Sequence, residues 1–174
     1  AWVEAESGRL DVVVNNAANA LAMPLGEFTL DAWNKSMDVN LRGPVFLVQE
    51  ALPWLKKSPH AAVLNVLTGA AFLFSSTISL YAIGKAGLLA ATRAMAAEFE
   101  PFGIRVNALS PGTVDTDMVR KNTHEAQDVM TSIQLMKRMA SPDEMVGPAL
   151  MLTSDAGSFI TGQVVFADGG MVPR

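Results

Sequence analysis

The sequence predicts an α/β fold in three layers, αβα, with a doubly wound parallel sheet between two sets of helices. Three observations predict it. Four short apolar runs, at residues 10–15, 61–67, 104–109 and 162–167, alternate with stretches of helical pattern. The first run reads as apolar on both faces and is rich in β-branched residues, as in a strand covered by helices on both sides. The order strand, helix, strand, helix, strand, helix, strand then calls for right-handed crossovers and a parallel sheet. In such sheets a site lies at the carboxyl ends of the strands. Asn15-Asn16, Thr68 and Ser110-Pro111-Gly112 fall there.

The start of the chain, Ala1-Trp2-Val3-Glu4-Ala5-Glu6, is acidic and amphipathic and reads as the end of a helix already in progress. After the first strand, Thr29 offers an N-cap and Asp31 sits in the first turn of a helix. That helix passes Trp33, Met37 and Leu41 and meets Gly43-Pro44. Proline tolerates a first turn, so the helix kinks or restarts there and runs to about residue 57. Ser58-Pro59-His60 is a turn, and the second strand follows. A loop of small residues spans 68–79, and a long helix occupies about 80–102. Gly103 supplies its C′ position. The third strand is stopped by Ser110-Pro111-Gly112. Residues 113–140 are polar and Met-containing, with weak periodicity, and read as a lid with one or two short helices. Ser141-Pro142-Asp143-Glu144 is a helix start with a capping box, leading to a helix that reaches about residue 153. The last strand ends at Asp168-Gly169-Gly170.

Composition narrows the function. The 174 residues make one domain, residues 1–174, with a real core. Half of them are hydrophobic and 17% are charged, which argues against disorder. Net charge is −4 and the cations are scattered, so no nucleic-acid partner is expected. No apolar run approaches the ~20 residues of a membrane span, and no membrane partner is expected. The chain has no cysteine, which excludes disulfides, thiolate metal sites and a Cys nucleophile and fits a cytoplasmic protein. The two histidines, His60 and His124, lie far apart in polar surroundings, and no metal site is expected.

Four sets of residues could carry chemistry. Tyr81 is the single tyrosine, and Lys85 stands four residues on, which places both on one helix face. A cation close to a phenol favours the phenolate and brings its pKa down toward the range useful for acid–base catalysis. The same spacing also describes an ordinary amphipathic pair, Tyr half buried and Lys solvated. Thr68, just past a strand, could polarise a carbonyl or merely end the strand. Asn40 sits in a helix where Asn competes for backbone bonds. A kink there could hold a water or orient Lys85, or be a helix-breaking Asn beside Gly43-Pro44. Asn15-Asn16-Ala17-Ala18 could admit a ligand to the backbone or form a polar turn.

Taken together, in this order and spacing, the residues resemble the classical short-chain dehydrogenase/reductase family. The matches are Asn15-Asn16-Ala17-Ala18, Asn40, Thr68 in the serine position, and Tyr81 with Lys85. Further along they include Arg105-Val106-Asn107 through Pro111-Gly112 with Thr116, then Thr161-Gly162-Gln163 and Asp168-Gly169-Gly170. The resemblance covers the whole chain. It implies a Rossmann-like fold and an NAD(P)-dependent oxidoreductase that interconverts an alcohol and a ketone or aldehyde. Tyr81 would be the general acid–base. Lys85 would lower its pKa and hold the nicotinamide ribose, Asn40 would position a water, and Thr68 would orient the substrate oxygen. Asn15, Ala17, Pro111, Gly112, Val114 and Thr116 would border the cofactor, NAD or NADP. The resemblance also implies a homodimer or homotetramer, packed partly through the small-residue face from Ala82 to Ala97.

The sequence departs from the family at Thr68 and at Ala18, which replaces glycine. It also lacks the Gly-rich pyrophosphate loop. The N-terminal βαβαβ part is thus expected to be missing, about 70 residues at ~30 per unit. That would leave the first strand a bare sheet edge. A family member without redox activity, kept as a binding or scaffold protein, is the second reading. A lyase, epimerase or dehydratase on the same fold is a third.

Overall fold

The structure, a computed structural model, describes residues 2–74, 76 and 78–172. Ala1 of the expected starting helix, and residues 75 and 77 of the expected loop 68–79, lie outside the described residues. The elements follow the order α1 (Trp2–Glu6), β1 (Val12–Asn15), α2 (Leu30–Met37), α3 (Gly43–Leu55), β2 (Ala62–Val66), α4 (Ser79–Phe99), β3 (Arg105–Pro111), α5 (Asp117–Arg120), α6 (His124–Ser132), α7 (Val146–Thr153) and β4 (Val164–Ala167). The four strands are parallel and adjacent in chain order. The α/β class, the parallel sheet and its flanking helices are as the sequence predicts.

Local chemistry explains the helix boundaries. The Thr29 hydroxyl accepts a hydrogen bond from the Ala32 N–H and starts α2. Between α2 and α3 the chain forms a π turn, Asp38–Arg42, and Pro44 sits in the first turn of α3. The expected kink at Asn40 is therefore one widened turn in a continuous helical path. Pro101 follows the end of α4, and Gly103 (φ 70°) closes that end in the left-handed region. At Ser141 the capping box forms, with Glu144 accepting from the Ser141 N–H at 2.8 Å. The turn it opens is 3₁₀ (Pro142–Met145) before α7 begins.

The main core lies on one face of the sheet. There α3 (Val48, Ala51, Leu55) and α4 (Met95, Ala96, Phe99) pack on Val13, Val63 and Val106. On the other face Leu152 of α7 packs on Leu64 and Leu109. Two expectations are corrected by this layout. β2 is covered on both faces, but β1 is not, because α7 packs chiefly against β2 and β3. Val12 and Val14 alternate outward and are exposed, and β1 is a sheet edge in this structure.

The second correction concerns handedness. With strands adjacent in chain order, crossovers on one face share a hand. The first two connections cross on the α3/α4 face, while α7 packs on the opposite one. The third connection therefore has the opposite hand, against the right-handed expectation. The chain between β3 and β4 first lays down α5 and α6, and that length frees α7 to approach from the far side. β3 also runs further than expected, through Ser110 to Pro111. Pairing with β4 carries it on (Pro111 opposite Ala167), and the Gly112 N–H donates to the Ala167 carbonyl. Among the described residues no helix is long and apolar enough to cross a membrane.

Candidate active site

Tyr81 and Lys85 lie one turn apart in the first half of α4, at the carboxyl end of β2. Lys85 is 1% exposed. Its Nζ donates to the Val66 carbonyl at 2.7 Å and stands 5.9 Å from the centroid of the Tyr81 ring. This removes the solvated amphipathic pair from the two readings of the Tyr-x-x-x-Lys spacing. Burial lowers the Lys85 pKa from 10.5 to about 8. Tyr81 is half buried, and its pKa is raised, first by burial. A hydrogen-bond interaction with the Thr68 side chain opposes the rise. The lowering expected from Lys85 is not among the causes of this shift, and the cost of burying a phenolate dominates it.

Thr68 has extended backbone (φ −163°, ψ 153°) at the end of β2, and its hydroxyl also accepts from the Ala70 N–H at 3.3 Å. That bond caps the short 3₁₀ turn Gly69–Ala71 and fixes the hydroxyl on the Tyr81 side. Asn40, fully buried, packs against α4 at Gly84, where an added Cβ would sit 2.8 Å from the Asn40 Cβ. Its amide is paired twice with the Asn19 backbone: the Asn19 N–H donates to Oδ1 at 3.0 Å, and Nδ2 donates to the Asn19 carbonyl at 2.7 Å. Nδ2 also donates to Ser36 Oγ at 3.1 Å. The side chain thus pins the loop after β1 instead of orienting Lys85, whose bond goes to Val66. The α-helical partner of the Asn40 carbonyl would be the N–H of residue 44, which is proline and has none to give. The structure brings Asn40, Thr68, Tyr81 and Lys85 to one neighbourhood.

The expected cofactor-bordering residues separate into two groups. Pro111 ends β3, and Gly112, Val114 and Thr116 follow it. Gly112 has no room for a side chain, since a Cβ there would lie 2.7 Å from both the Asp168 carbonyl and Gln134 Oε1. Val114 is buried in a bridge to Ala140, and the Thr116 hydroxyl caps α5 at the Val119 N–H. Asn15 behaves differently. Its side chain is buried, and Nδ2 donates to Asn65 Oδ1 at 2.7 Å, so its amide is committed to the interior. Ala17 is exposed on the loop that follows.

Three groups escaped sequence reasoning. Asn65 extends the Asn15 contact by donating to Thr92 Oγ1 at 2.9 Å, and Thr92 donates to the Leu88 carbonyl. The signal was present: a lone Asn inside an apolar strand needs a partner. Gln134, 2% exposed, accepts from the Thr113 N–H and donates to the Met136 and Arg138 carbonyls, holding the 113–140 connection to β3. Asn19 carries no pattern that marks it. Met118 and Met136 of the 113–140 connection are exposed. Among the described residues no group of three His, Asp or Glu side chains could hold a metal ion.

Comparison with known proteins bears on the family and the fold. The family described as Enoyl-(Acyl carrier protein) reductase matches residues 1–172. A probable galactose dehydrogenase of Rhizobium meliloti is 35% identical over 96% of this chain and 66% of its own length. A 3-oxoacyl-[acyl-carrier-protein] reductase of Thermotoga maritima is 33% identical over 95% of this chain and 67% of its own. The chain thus spans about two thirds of the length of these relatives. A gluconate 5-dehydrogenase from Burkholderia cenocepacia, solved with NADP and tartrate, superposes with a TM-score of 0.92 at 31% identity, covering 98% of this chain and 68% of that one. The chain belongs to the short-chain dehydrogenase/reductase family of oxidoreductases.

Proposed function

We propose that this chain is the catalytic portion, one domain over residues 1–174, of an NAD(P)-dependent dehydrogenase/reductase. It interconverts an alcohol and a ketone or aldehyde, with Tyr81 as general acid–base. The observation that carries the reading is Lys85: a cation buried one turn from a lone tyrosine, whose burial serves no purpose in an amphipathic surface pair. The nicotinamide group supplies or accepts the hydride. The residues present suit it. Lys85 has three N–H donors and one is spent on Val66, which leaves donors for ribose hydroxyls. The backbone at Pro111 and Gly112, with Val114, Thr116 and Ala17, would border the ring. Asn15 would contribute backbone alone, because its amide is taken by Asn65.

In the reductive direction Tyr81 begins protonated, and its raised pKa keeps it so at neutral pH. It gives the phenolic proton to the substrate oxygen, which Thr68 orients. In the oxidative direction Tyr81 must first lose that proton, and the Lys85 ammonium steadies the phenolate. A water on the Asn40 carbonyl would carry the proton onward. We further place the protein in the cytoplasm as a homodimer or homotetramer acting on a small carbonyl or alcohol, with no nucleic-acid or membrane partner. Exposed Phe46 and Leu47 on α3 and Ile83 on α4 support the association.

Changing Tyr81 to Phe in the full-length protein tests the reading. Turnover should fall by at least a hundredfold, the low end of the ~10²–10⁴ ascribed to acid–base catalysis. Cofactor binding should stay. Undiminished turnover would refute it.

A further inference from the structure

A cleft opens beside Asn40, between the loop after β1 and the end of α5. Ala18, Ala20, Leu21 and Val39 give it an apolar wall, and Met118 and Lys121 face them from the α5 side. Asn40 fixes the first wall through Asn19, so the cleft adjoins the site described above. Its charge is one-sided. No carboxylate lines it, and among the described residues no acid pairs with Lys121. The nearby acids are already engaged: Asp115 and Asp117 by Arg120, and Asp38 by Arg42. An open cleft with one apolar wall and a single unpaired cation at its rim complements a ligand with an apolar body and an anionic head.

We infer that Lys121 is a specificity-determining residue that selects substrates bearing a carboxylate: hydroxy acids, or the corresponding keto acids, with a compact apolar body lying against Leu21, Val39 and Met118. The inference rests on the oxidoreductase reading and names the substrate class of that same site. Lys121 takes no part in proton or hydride transfer. It acts on affinity, so KM should carry its effect and kcat should not.

The probes are 4-hydroxycyclohexanecarboxylate and its neutral carboxamide, which share a ring and a secondary alcohol and differ in charge. Their affinities are measured by titration calorimetry on full-length protein saturated with nicotinamide cofactor, for the unaltered chain, Lys121→Gln, Lys121→Arg and Tyr81→Phe. The carboxylate should bind about tenfold tighter than the amide, the size of one charge-assisted hydrogen bond. Lys121→Arg should keep that preference and Lys121→Gln should erase it. Equal affinities, no binding of either probe, or a preference that survives Lys121→Gln would overturn the inference. A weakened cofactor affinity in Lys121→Gln with the carboxylate preference intact would assign the cation to a cofactor phosphate and overturn it too. Tyr81→Phe separates the two levels. Retained turnover there sinks the acid–base reading, whereas a retained carboxylate preference without turnover leaves both standing.

Discussion

The two walls of the site are built on opposite principles. The wall formed by β2 and α4 is dry and closed. Asn65, Lys85 and Thr92 are each no more than 1% exposed, and each has a hydrogen-bond partner. The connection from residue 113 to 140 is wet. Its ion pairs, Arg120 with Asp115 and Arg138 with Glu144 just beyond it, are half in solvent, and Val129, Ile133, Leu135 and Met136 are exposed. Gln134, and Thr113 through its bond to the Met130 carbonyl, hold its middle from within. Polar groups in the first wall are expensive to disturb, because nothing but the protein can satisfy them. Those in the second are cheap, because water competes for them. Under the proposed function, reaction chemistry would sit on the expensive wall, and substrate selection would have its freedom on the cheap one.

The largest expected stability effect comes from Lys85. Its pKa is lowered in the folded chain from 10.5 to about 8, so above pH 8 the unfolded chain holds a proton that the folded chain has released. Stability therefore rises with pH through this window, and the penalty of the buried charge is fully present below it. Between pH 8 and 10 the gain should be roughly 2–3 kcal/mol, at about 1.4 kcal/mol per decade. Above 10 the raised Tyr81 pKa works the other way, since the unfolded chain then loses a proton that the folded chain keeps. Denaturant midpoints collected from neutral pH to pH 10 would show the rise. Lys85→Met should flatten it and be the more stable protein at pH 7. An unchanged rise in Lys85→Met would mean that another group carries it.

Asn65 sharpens the same contrast at a smaller size. Asn65→Ala strands the buried Asn15 amide and takes from Thr92 the donor it accepts from, while Thr92 keeps its bond to the Leu88 carbonyl. The expected loss is about 1–3 kcal/mol for buried polar groups left unpaired. Thermal unfolding would measure it. A cost below 0.5 kcal/mol, the level of an ordinary surface change, would show that water reaches the network and that this wall is not dry.

Much of the dry wall was legible in the sequence, and the reasons are local. The 61–67 run is continuous because β2 is covered on both faces, and the 3.6 period fixes Tyr81 and Lys85 on one face of α4. Thr29, Gly103 and Ser141 announce helix ends through their own backbone chemistry. The illegible parts depend on distant chain. The exposure of Val12 and Val14 depends on how far α7 extends over the sheet, which no feature of the 10–15 run records. The π turn at 38–42 adds no breaker beyond Gly43-Pro44. The Asn65–Thr92 bond joins residues on separate elements. Lys85 could be placed beside Tyr81 from spacing, but its burial could not, because the cover comes from the strand ends beneath α4. The 113–140 connection read as one or two short helices from its weak periodicity, and the structure has two, α5 and α6. Gln134 was missed because a buried glutamine in a polar stretch looks like its solvated neighbours.

The smallest expected effect is at the rim, and its size is the point. Arg138 makes a two-pronged pair with Glu144 (2.8 and 2.7 Å), and Glu144 also accepts from the Ser141 N–H. Arg138, then the Ser141 N–H, lower the Glu144 pKa from 4.5 to about 2. A depressed carboxylate stabilises above its unfolded pKa and loses that contribution as pH falls through the folded one. Any contribution of Glu144 is thus complete above pH 4.5 and gone near pH 2. Both side chains are about half exposed, so solvent and salt discount it heavily. Glu144→Gln should therefore shift the neutral-pH melting temperature far less than Asn65→Ala does. What difference exists should shrink further in high salt and disappear in acid. A loss at Glu144 as large as that at Asn65, indifferent to salt, would mean that the connection is anchored from its surface, and the division between a dry and a wet wall would fail.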